Sequence, residues 1–370
     1  MKMIDNKNLS RAEKAVYSLR DIYESYGYSQ YKMSKFEEYD LYVRNKSFLV
    51  SDNIITFTDT DGKLMALKPD VTLSIVKNTR ESDGIRKVYY NENVYRVPRG
   101  AISFKEIMQA GLECIGELDK YSILEVLRLA QMSLESISSD YVLDVSDVGI
   151  VSSLIEEMGV SAAAVSDILQ CVGEKNVHGI DVICASEGKD VSVAETLKRL
   201  ISMSGDGDEM LDILSGSKCL DQAKELYEII SILRQGLDGK IRIDFSVVDD
   251  TNYYSGIVFK GFIKGIPTSV LSGGRYDNLM KKLGKNSGAV GFAVYLDFID
   301  ELDDVKDEYD TDVFVLYDSD CSLSALNKLV DSVRAGGETV IVSTVLPNRL
   351  KYKRLIKFGR DGAEVDNGLA

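Results

Sequence analysis

The stretch "MQAGLECIG" (residues 108–116) alternates polar or small residues with apolar ones. On a strand, a period of two places Gln109, Gly111 and Glu113 on one face. A Gln and a Glu on one face, with a Gly between them, leave room for something small and polar. Three further segments carry polar groups that an ordinary sheet core would not choose. In "LKPDVT" (67–72), Pro69 stiffens the backbone while Asp70 and Thr72 offer short polar side chains. In "VYR" (94–96), Arg96 follows a strand-like run. The last pair is "DDTNYYSGIVF" (249–259) with "LSGGRYDNL" (271–279), in which Gly273-Gly274 reads as a tight turn beside Tyr276.

Taken together, these groups describe one kind of ligand. Asp70 and Glu113 suit an ammonium, and Arg96 suits a carboxylate or a phosphate. Gln109, Tyr253, Tyr254 and Tyr276 can bond an aromatic nitrogen heterocycle. An amino acid with a ring side chain has all of these parts.

Composition limits the alternatives. The chain has 370 residues, 45% of them apolar and 28% charged, as in an ordinary globular protein with ample length for a large core. The net charge of −15 argues against a broad nucleic-acid surface. The five cysteines (Cys114, Cys171, Cys184, Cys219, Cys321) are scattered without a CxxC pair, which predicts reduced thiols in the cytoplasm and no metal site. The single histidine, His178, lies in "NVHGIDV" and lacks partners for a triad or a metal cluster, so it is expected to be structural. No apolar run approaches a membrane span, and the first residues lack a signal-peptide core.

Along the chain, "LSRAEKAVYSLRDIYESYGY" (9–28) carries a capping box, Ser10 with Glu13, and predicts a helix ending at Gly27. "FLVSDNIITFTDTDGKLMALK" (48–68) predicts a hairpin turning at Asp61-Gly62, and 87–96 predicts a strand. Residues 119–138 predict a helix capped by Asp119. About 150–236 reads as short amphipathic helices, an insertion into a sheet-bearing domain. Strands resume at "KIRIDFSVV", "GIVFKGFI" and "PTSVLSGG", the last two joined by a turn at Lys264-Gly265. "DFIDELDDVKDEYDTD" (297–312) packs nine carboxylates around one lysine and marks a solvated boundary. Beyond it, "VFVLYD", "SLSALNKLVDSVRAGG" and "ETVIVS" predict a small βαβ unit. A final helix is expected over "NRLKYKRLIKFGR" (348–360), whose basic residues form either a solvated face or a dock for an acidic partner.

"YYNENVYR…MQAGLECIGE", "NYYSGIVF", "GGRYDNL" and "AVGFAVYLDFI" resemble histidyl-tRNA synthetase motifs, in the same order, across about residues 1–300. The resemblance implies an α+β fold: a class II aminoacyl-tRNA synthetase-like antiparallel sheet flanked by helices, usually dimeric. It implies residues 1–310 as that domain and 311–370 as a short α/β domain resembling a truncated anticodon-binding domain. By the same resemblance Asp70, Thr72, Gln109, Glu113, Tyr253 and Tyr254 fall where the family holds histidine. Arg96 falls where the family grips the α-phosphate of ATP.

The chain departs from the synthetases where activation is carried out. Where they have Arg-Gly-Leu-Asp before the double tyrosine, this chain has Asp249, Asp250, Thr251 and Asn252. Where their last motif ends in Gly-Leu-Glu-Arg, it has Tyr295 at the glycine and Phe298 at the arginine. Fixed cations stabilise the charge that develops on the α-phosphate, and losing one well-placed donor costs roughly 3–4 kcal/mol. A pocket that keeps an amino acid but loses the reaction is similar to the regulatory subunits of ATP phosphoribosyltransferase, and Asp70 in "LKPDVT" agrees with that branch.

That resemblance implies no catalytic residue, cofactor or metal on this chain. It implies a short-form ATP phosphoribosyltransferase catalytic subunit as partner, histidine as effector, and a homodimer within a hetero-oligomer; tRNA is not expected as a partner. A divergent histidyl-tRNA synthetase and a synthetase-like sensor in another pathway are the alternatives. Histidine is expected either in the synthetase-like pocket or at an interface between chains.

Overall fold

A computed structural model describes residues 9–45, 53–79, 84–97, 102–203, 205, 207–235, 240–248, 253–299, 302, 309–360 and 362–366. The chain divides into two compact units, Met1–Leu302 and Asp303–Ala370.

The first unit begins with Arg11–Ser25 (α1), whose capping box is formed: Glu13 N donates to Ser10 Oγ at 3.1 Å and Ser10 N donates to Glu13 Oε2 at 2.8 Å. Then come Ser29–Gln30 (β1), Phe36–Glu38 (β2), Tyr39–Arg44 (α2), Thr56–Thr58 (β3), Leu64–Leu67 (β4) and Thr72–Asn78 (α3). Arg86–Arg96 (β5) and Lys105–Gly116 (β6) pair antiparallel over their length. Lys120–Ile137 (α4) starts at Asp119, which caps it by accepting from Ser122 N at 2.8 Å. Tyr141–Asp147 (β7) leads into Val148–Met158 (α5), Ala162–Gly173 (α6), Val177–Ser186 (α7), Glu195–Ser202 (α8), Asp208–Ile213 (α9) and Leu220–Leu233 (α10). Ile241–Ile243 (β8), Ile257–Ile263 (β9), Leu271–Arg275 (β10), Asp277–Lys282 (α11) and Gly288–Tyr295 (β11) complete the unit.

Eight of these strands form one sheet in the order β1-β5-β6-β11-β10-β9-β7-β8. Its inner pairs are antiparallel, as expected, while the edge strands β1 and β8 join in parallel. The helices α5 to α10 leave from β7 and return at β8, which lies beside it, so the helical insertion is closed by one parallel pair. Of "KIRIDFSVV", only Ile241–Ile243 is strand; Asp244 then accepts from Ser246 N and turns the chain. The β3–β4 hairpin turns at Gly62, with φ 86°, and belongs to a small sheet of order β2-β4-β3.

The two faces of the large sheet differ. One is closed by α1, α4 and the inserted helices over Leu112, Cys114, Phe259 and Phe292. The other carries a smaller apolar cluster of Val88, Tyr90, Ile107, Ile115, Tyr276 and Leu279, with α3 packed against it. Gln109, Gly111 and Glu113 lie on this second face.

In the second unit, Thr311–Tyr317 (β12), Leu323–Ala335 (α12) and Val340–Ser343 (β13) form the expected βαβ unit, with β12 and β13 parallel. The expected last helix is instead a strand, Tyr352–Gly359 (β14), which pairs parallel with β12 and antiparallel with Gly362–Asp366 (β15). The open hydrogen-bonding edge of β12 captures this segment, and such pairing overrides local helical spacing. Ile356 and Phe358 go under α12, while Lys353 and Lys357 stay exposed. The basic cluster is largely answered within the unit: Lys353 pairs with Asp312 at 2.6 Å, Arg354 with Glu338 at 2.5 Å and Arg360 with Asp320 at 2.8 Å.

Candidate functional site

Glu113 is the centre of the polar face. It is 1% exposed, and its two carboxylate oxygens are held by hydroxyls: Thr72 Oγ1 donates to Oε1 at 2.6 Å, and Tyr276 OH donates to Oε2. Among the described residues no cation pairs with it. Burial pushes its carboxyl up to about 8, with the nearby Asp70 adding to the rise and the two hydroxyls opposing it.

Asp70 precedes α3 and accepts from Leu73 N at 2.7 Å. Burial raises its carboxyl above the usual range, against the pull of that backbone bond and of Arg96. Tyr253 lies 4.8 Å from Tyr254 and 5.8 Å from Tyr276, ring centroid to centroid. Burial holds the phenols of Tyr253, Tyr276 and Tyr90 well above their ordinary value; Glu113 pushes all three further, and Asp70 adds to the rise at Tyr253 and Tyr90. These hydroxyls therefore stay protonated and act as donors.

Glycines create the space. Gly274, Gly291 and Glu113 stand side by side on three neighbouring strands. A Cβ at Gly291 would fall on the Glu113 carboxylate. At Gly274 it would lie 2.6 Å from Tyr254 Cδ1, and at Gly111 2.6 Å from Tyr90 Cζ. None of the three has a positive φ, so room rather than backbone freedom requires glycine.

The expected turn at Gly273-Gly274 is therefore a correction: both belong to β10. Only Gly274 faces the site. Gly273 faces the opposite core, where an added Cβ would lie 2.8 Å from Phe259 Cζ. Hydrogen-bonded pairing with β9 and β11 on both sides leaves no place for a turn.

Asp70, Thr72, Glu113, Tyr253, Tyr254 and Tyr276 come together, and Gln109 lies further along β6, opposite Glu92 and Tyr295. Arg96 reaches over the Tyr295 ring, with Cζ 5.9 Å from the centroid. Phe298 sits in a short 3-10 turn (Leu296–Phe298) with its ring 6.2 Å from that of Tyr295. Asp249 lies outside the described residues. His178 is exposed on α7, and among the described residues no cluster of His, Cys, Asp and Glu could hold a metal ion.

Sequence reasoning missed four groups on this face. Tyr90 covers Gly111, Tyr295 carries Arg96, and Lys68, fully buried, pairs with Glu92 at 2.5 Å. Alternation along β5 was the available signal, since it puts Tyr90 and Glu92 on one face with Arg96. The site is also tied to the insertion: Tyr254 packs on Val148, Val247 and Val258, and Val148 N donates to Gly256 O at 2.9 Å.

The face thus gathers a buried acid held by hydroxyls, a second acid beside it, three phenols and a separate guanidinium. The family model for histidyl-tRNA synthetase matches residues 2–299. An ATP phosphoribosyltransferase regulatory subunit from Caldanaerobacter subterraneus subsp. tengcongensis is 30% identical over 287 residues, 74% of each chain. The chain belongs to the histidyl-tRNA synthetase family, in its branch of ATP phosphoribosyltransferase regulatory subunits. Solved structures share this fold. The ATP phosphoribosyltransferase regulatory subunit/histidyl-tRNA synthetase from Bacillus halodurans matches with TM-score 0.75 at 22% identity, covering 94% of both chains. The ATP phosphoribosyl transferase (HisG:HisZ) complex from Thermotoga maritima contains a chain matching with TM-score 0.61 at 19% identity, over 80% of this chain and 98% of that one. Positions 249 and 298 of this chain are Asp and Phe.

Proposed function

We propose that this chain is a non-catalytic subunit that completes an ATP phosphoribosyltransferase and makes it responsive to histidine. A separate short-form catalytic chain condenses ATP with phosphoribosyl pyrophosphate. This chain supplies no acid, base or nucleophile. The observation that carries the reading is the 30% identity to a relative named as such a regulatory subunit, over 74% of both chains.

Site chemistry supports histidine as effector. Asp70 takes the ammonium, and Glu113 with the phenols of Tyr253 and Tyr254 surrounds the ring, whose two nitrogens need one acceptor and one donor at neutral pH. Gly274 gives Tyr254 its place. Asp249 and Phe298 stand where adenylate formation needs cations, so histidine binds without being activated. Residues 1–310 act as the synthetase-like receptor and 311–370 as a reduced anticodon-binding-type domain, the chain working as a homodimer within the hetero-oligomer in the cytoplasm. Coupling between effector and catalytic sites is typically ~1–3 kcal/mol and reciprocal.

The test is an assay of the catalytic chain with and without this one. Addition should raise the rate and confer inhibition by histidine, and Tyr254→Ala should weaken that inhibition at least about tenfold. A catalytic chain equally active and equally histidine-sensitive alone would defeat the proposal. Unchanged inhibition with Tyr254→Ala would move the effector to an interface between chains. Histidine-dependent exchange of pyrophosphate into ATP by this chain would restore the synthetase reading.

A further inference from the structure

The two hydroxyls that hold Glu113 come from two different helices. Thr72, which donates to Oε1 at 2.6 Å, is the first residue of α3. Tyr276, which donates to Oε2, is the residue before α11. These helices have seven and six residues, and a helix this short is not stable alone. Both lie in the apolar cluster of this face, α3 through Leu73, Ile75 and Val76 and α11 through Leu279 and Met280. Apolar packing is non-directional, so their exact placement falls to whatever holds their ends.

One residue joins the two far ends. Gly284, with φ 72°, reverses the chain after α11. Its N–H donates to Lys281 O at 3.0 Å, and the next N–H, that of Lys285, donates to Met280 O at 3.0 Å. This is the bond pattern with which a left-handed glycine closes a helix. The Lys285 side chain then reaches α3, where its ammonium donates to Val76 O and Thr79 O. A cation at that end also meets the negative pole of the helix. Lys285 therefore ends α11 with its backbone and α3 with its side chain. The circuit runs from Glu113 through Thr72 and α3 to Lys285, and back through α11 and Tyr276. Bonds between oxygens keep their strength over only about half an ångström, so a helix that slides loses its hydroxyl's hold.

We propose that Lys285 is a positioning residue for the site: by ending α3 and α11 together, it keeps the Thr72 and Tyr276 hydroxyls on the Glu113 carboxylate. Both hydroxyls favour the charged carboxylate against burial, so letting them drift drives the carboxyl further up. Asp70 ahead of α3, Tyr276 ahead of α11, Tyr253, and Tyr90 on β5 are the other titratable groups around it. All four remain when Lys285 is replaced. The consequence for ligand affinity rests on the reading of the site as a histidine receptor.

The experiment is an infrared pH titration of the full-length chain, following the protonated-carboxyl band that Glu113→Gln removes. Lys285→Met should raise its midpoint by about one pH unit. Lys285→Gln, which keeps a donor but no charge, should fall between, and Lys285→Arg should restore the wild-type midpoint. Lys285→Gln and Lys285→Arg carry the test if Lys285→Met does not fold. Leu154→Ala, a cavity in the helical core on the other face, supplies the merely destabilised comparison and should leave the midpoint in place. An unmoved midpoint in the Lys285 variants would overturn the proposal, as would an equal rise in Leu154→Ala. Calorimetry with histidine reads the consequence, a binding about tenfold weaker in Lys285→Met and recovered in Lys285→Arg. If wild type binds no histidine, the receptor reading falls, and the titration still decides the role of Lys285.

Discussion

Two buried glutamates lie on opposite sides of the same sheet. Glu125, on α4, is 5% exposed and pairs with Lys87 of β5 at 2.6 Å, with Tyr28 OH donating to it at 3.3 Å. Glu113, on β6, is 1% exposed and is held by hydroxyls alone among the described residues. The first is a finished interaction, a buried charge with its counter-charge built in. The second is an acid kept in reserve, its carboxyl pushed up to about 8 by burial. A folded chain tolerates an unpaired buried carboxyl only as a neutral group or as half of a complex. The contrast sets a buried acid with its cation against a buried acid without one on the same scaffold.

Glycine usage follows the same division. Toward the helical core, Gly273 makes way for Phe292 and Phe259, and Gly261 makes way for Leu134. On the other face, Gly111, Gly274 and Gly291 make way for Tyr90, Tyr254 and Glu113. One set lets apolar groups close a core. The other lets polar and aromatic groups lie close over the sheet.

The largest effect is expected on the finished side. Lys87→Met leaves Glu125 buried without its cation and should lower unfolding free energy by about 3 kcal/mol, toward the lower end for a buried pair because Lys87 is partly exposed. Adding Glu125→Leu should recover most of the loss. Urea denaturation measures both. A single variant as stable as wild type would mean that Glu125 does not depend on Lys87, and the contrast with Glu113 would collapse.

The next effect tests the reserved side through pH. The Glu113 carboxyl is raised from 4.5 to about 8, so the folded chain keeps a proton that the unfolded chain has released between those values. Its contribution is fully present below the unfolded value and is lost as pH rises through the folded one, so stability falls across that window. Glu113→Gln, which cannot ionise, should remove that slope. The stability difference between pH 5 and pH 8 should shrink by on the order of 2 kcal/mol in the variant. Parallel slopes for the two proteins would show that Glu113 ionises without penalty and that its environment is not dry.

Much of this arrangement was legible in the sequence. Ser10 with Glu13, and Asp119 ahead of an apolar-periodic run, are local signals that fix helix starts, and both caps form. The alternation in 108–116 placed Gln109 and Glu113 on one face because the strand period depends on covalent geometry alone. Other features depend on partners that no local signal names. Gly273-Gly274 has the composition of a turn, and only hydrogen bonds from β9 and β11 on both sides hold it straight. Lys68 and Glu92 are 24 residues apart and meet because α3 and β4 stand over β5. The segment Tyr352–Gly359 carries both helical and strand spacing, and the vacant edge of β12 decides.

That misread strand also sets the smallest effect and the far end of the comparison. Lys353 is 53% exposed on the side chain and pairs with Asp312, 24% exposed, at 2.6 Å. This pair neither closes a core nor awaits a ligand. Its bond to Lys353, with help from Thr339, holds the Asp312 carboxyl down at about 2 from its ordinary 3.8. The stabilisation is therefore present above the ordinary value and is lost as pH falls toward the depressed one. Solvent screens exposed pairs, so Lys353→Gln should cost no more than about 0.5 kcal/mol at neutral pH and less in high salt. Assembly with the catalytic chain should be unchanged, because the charge is already answered within its own unit. If the variant instead weakened assembly, measured by sedimentation at low and high salt, the basic strand would be a docking surface whose internal pairs give way to an acidic partner.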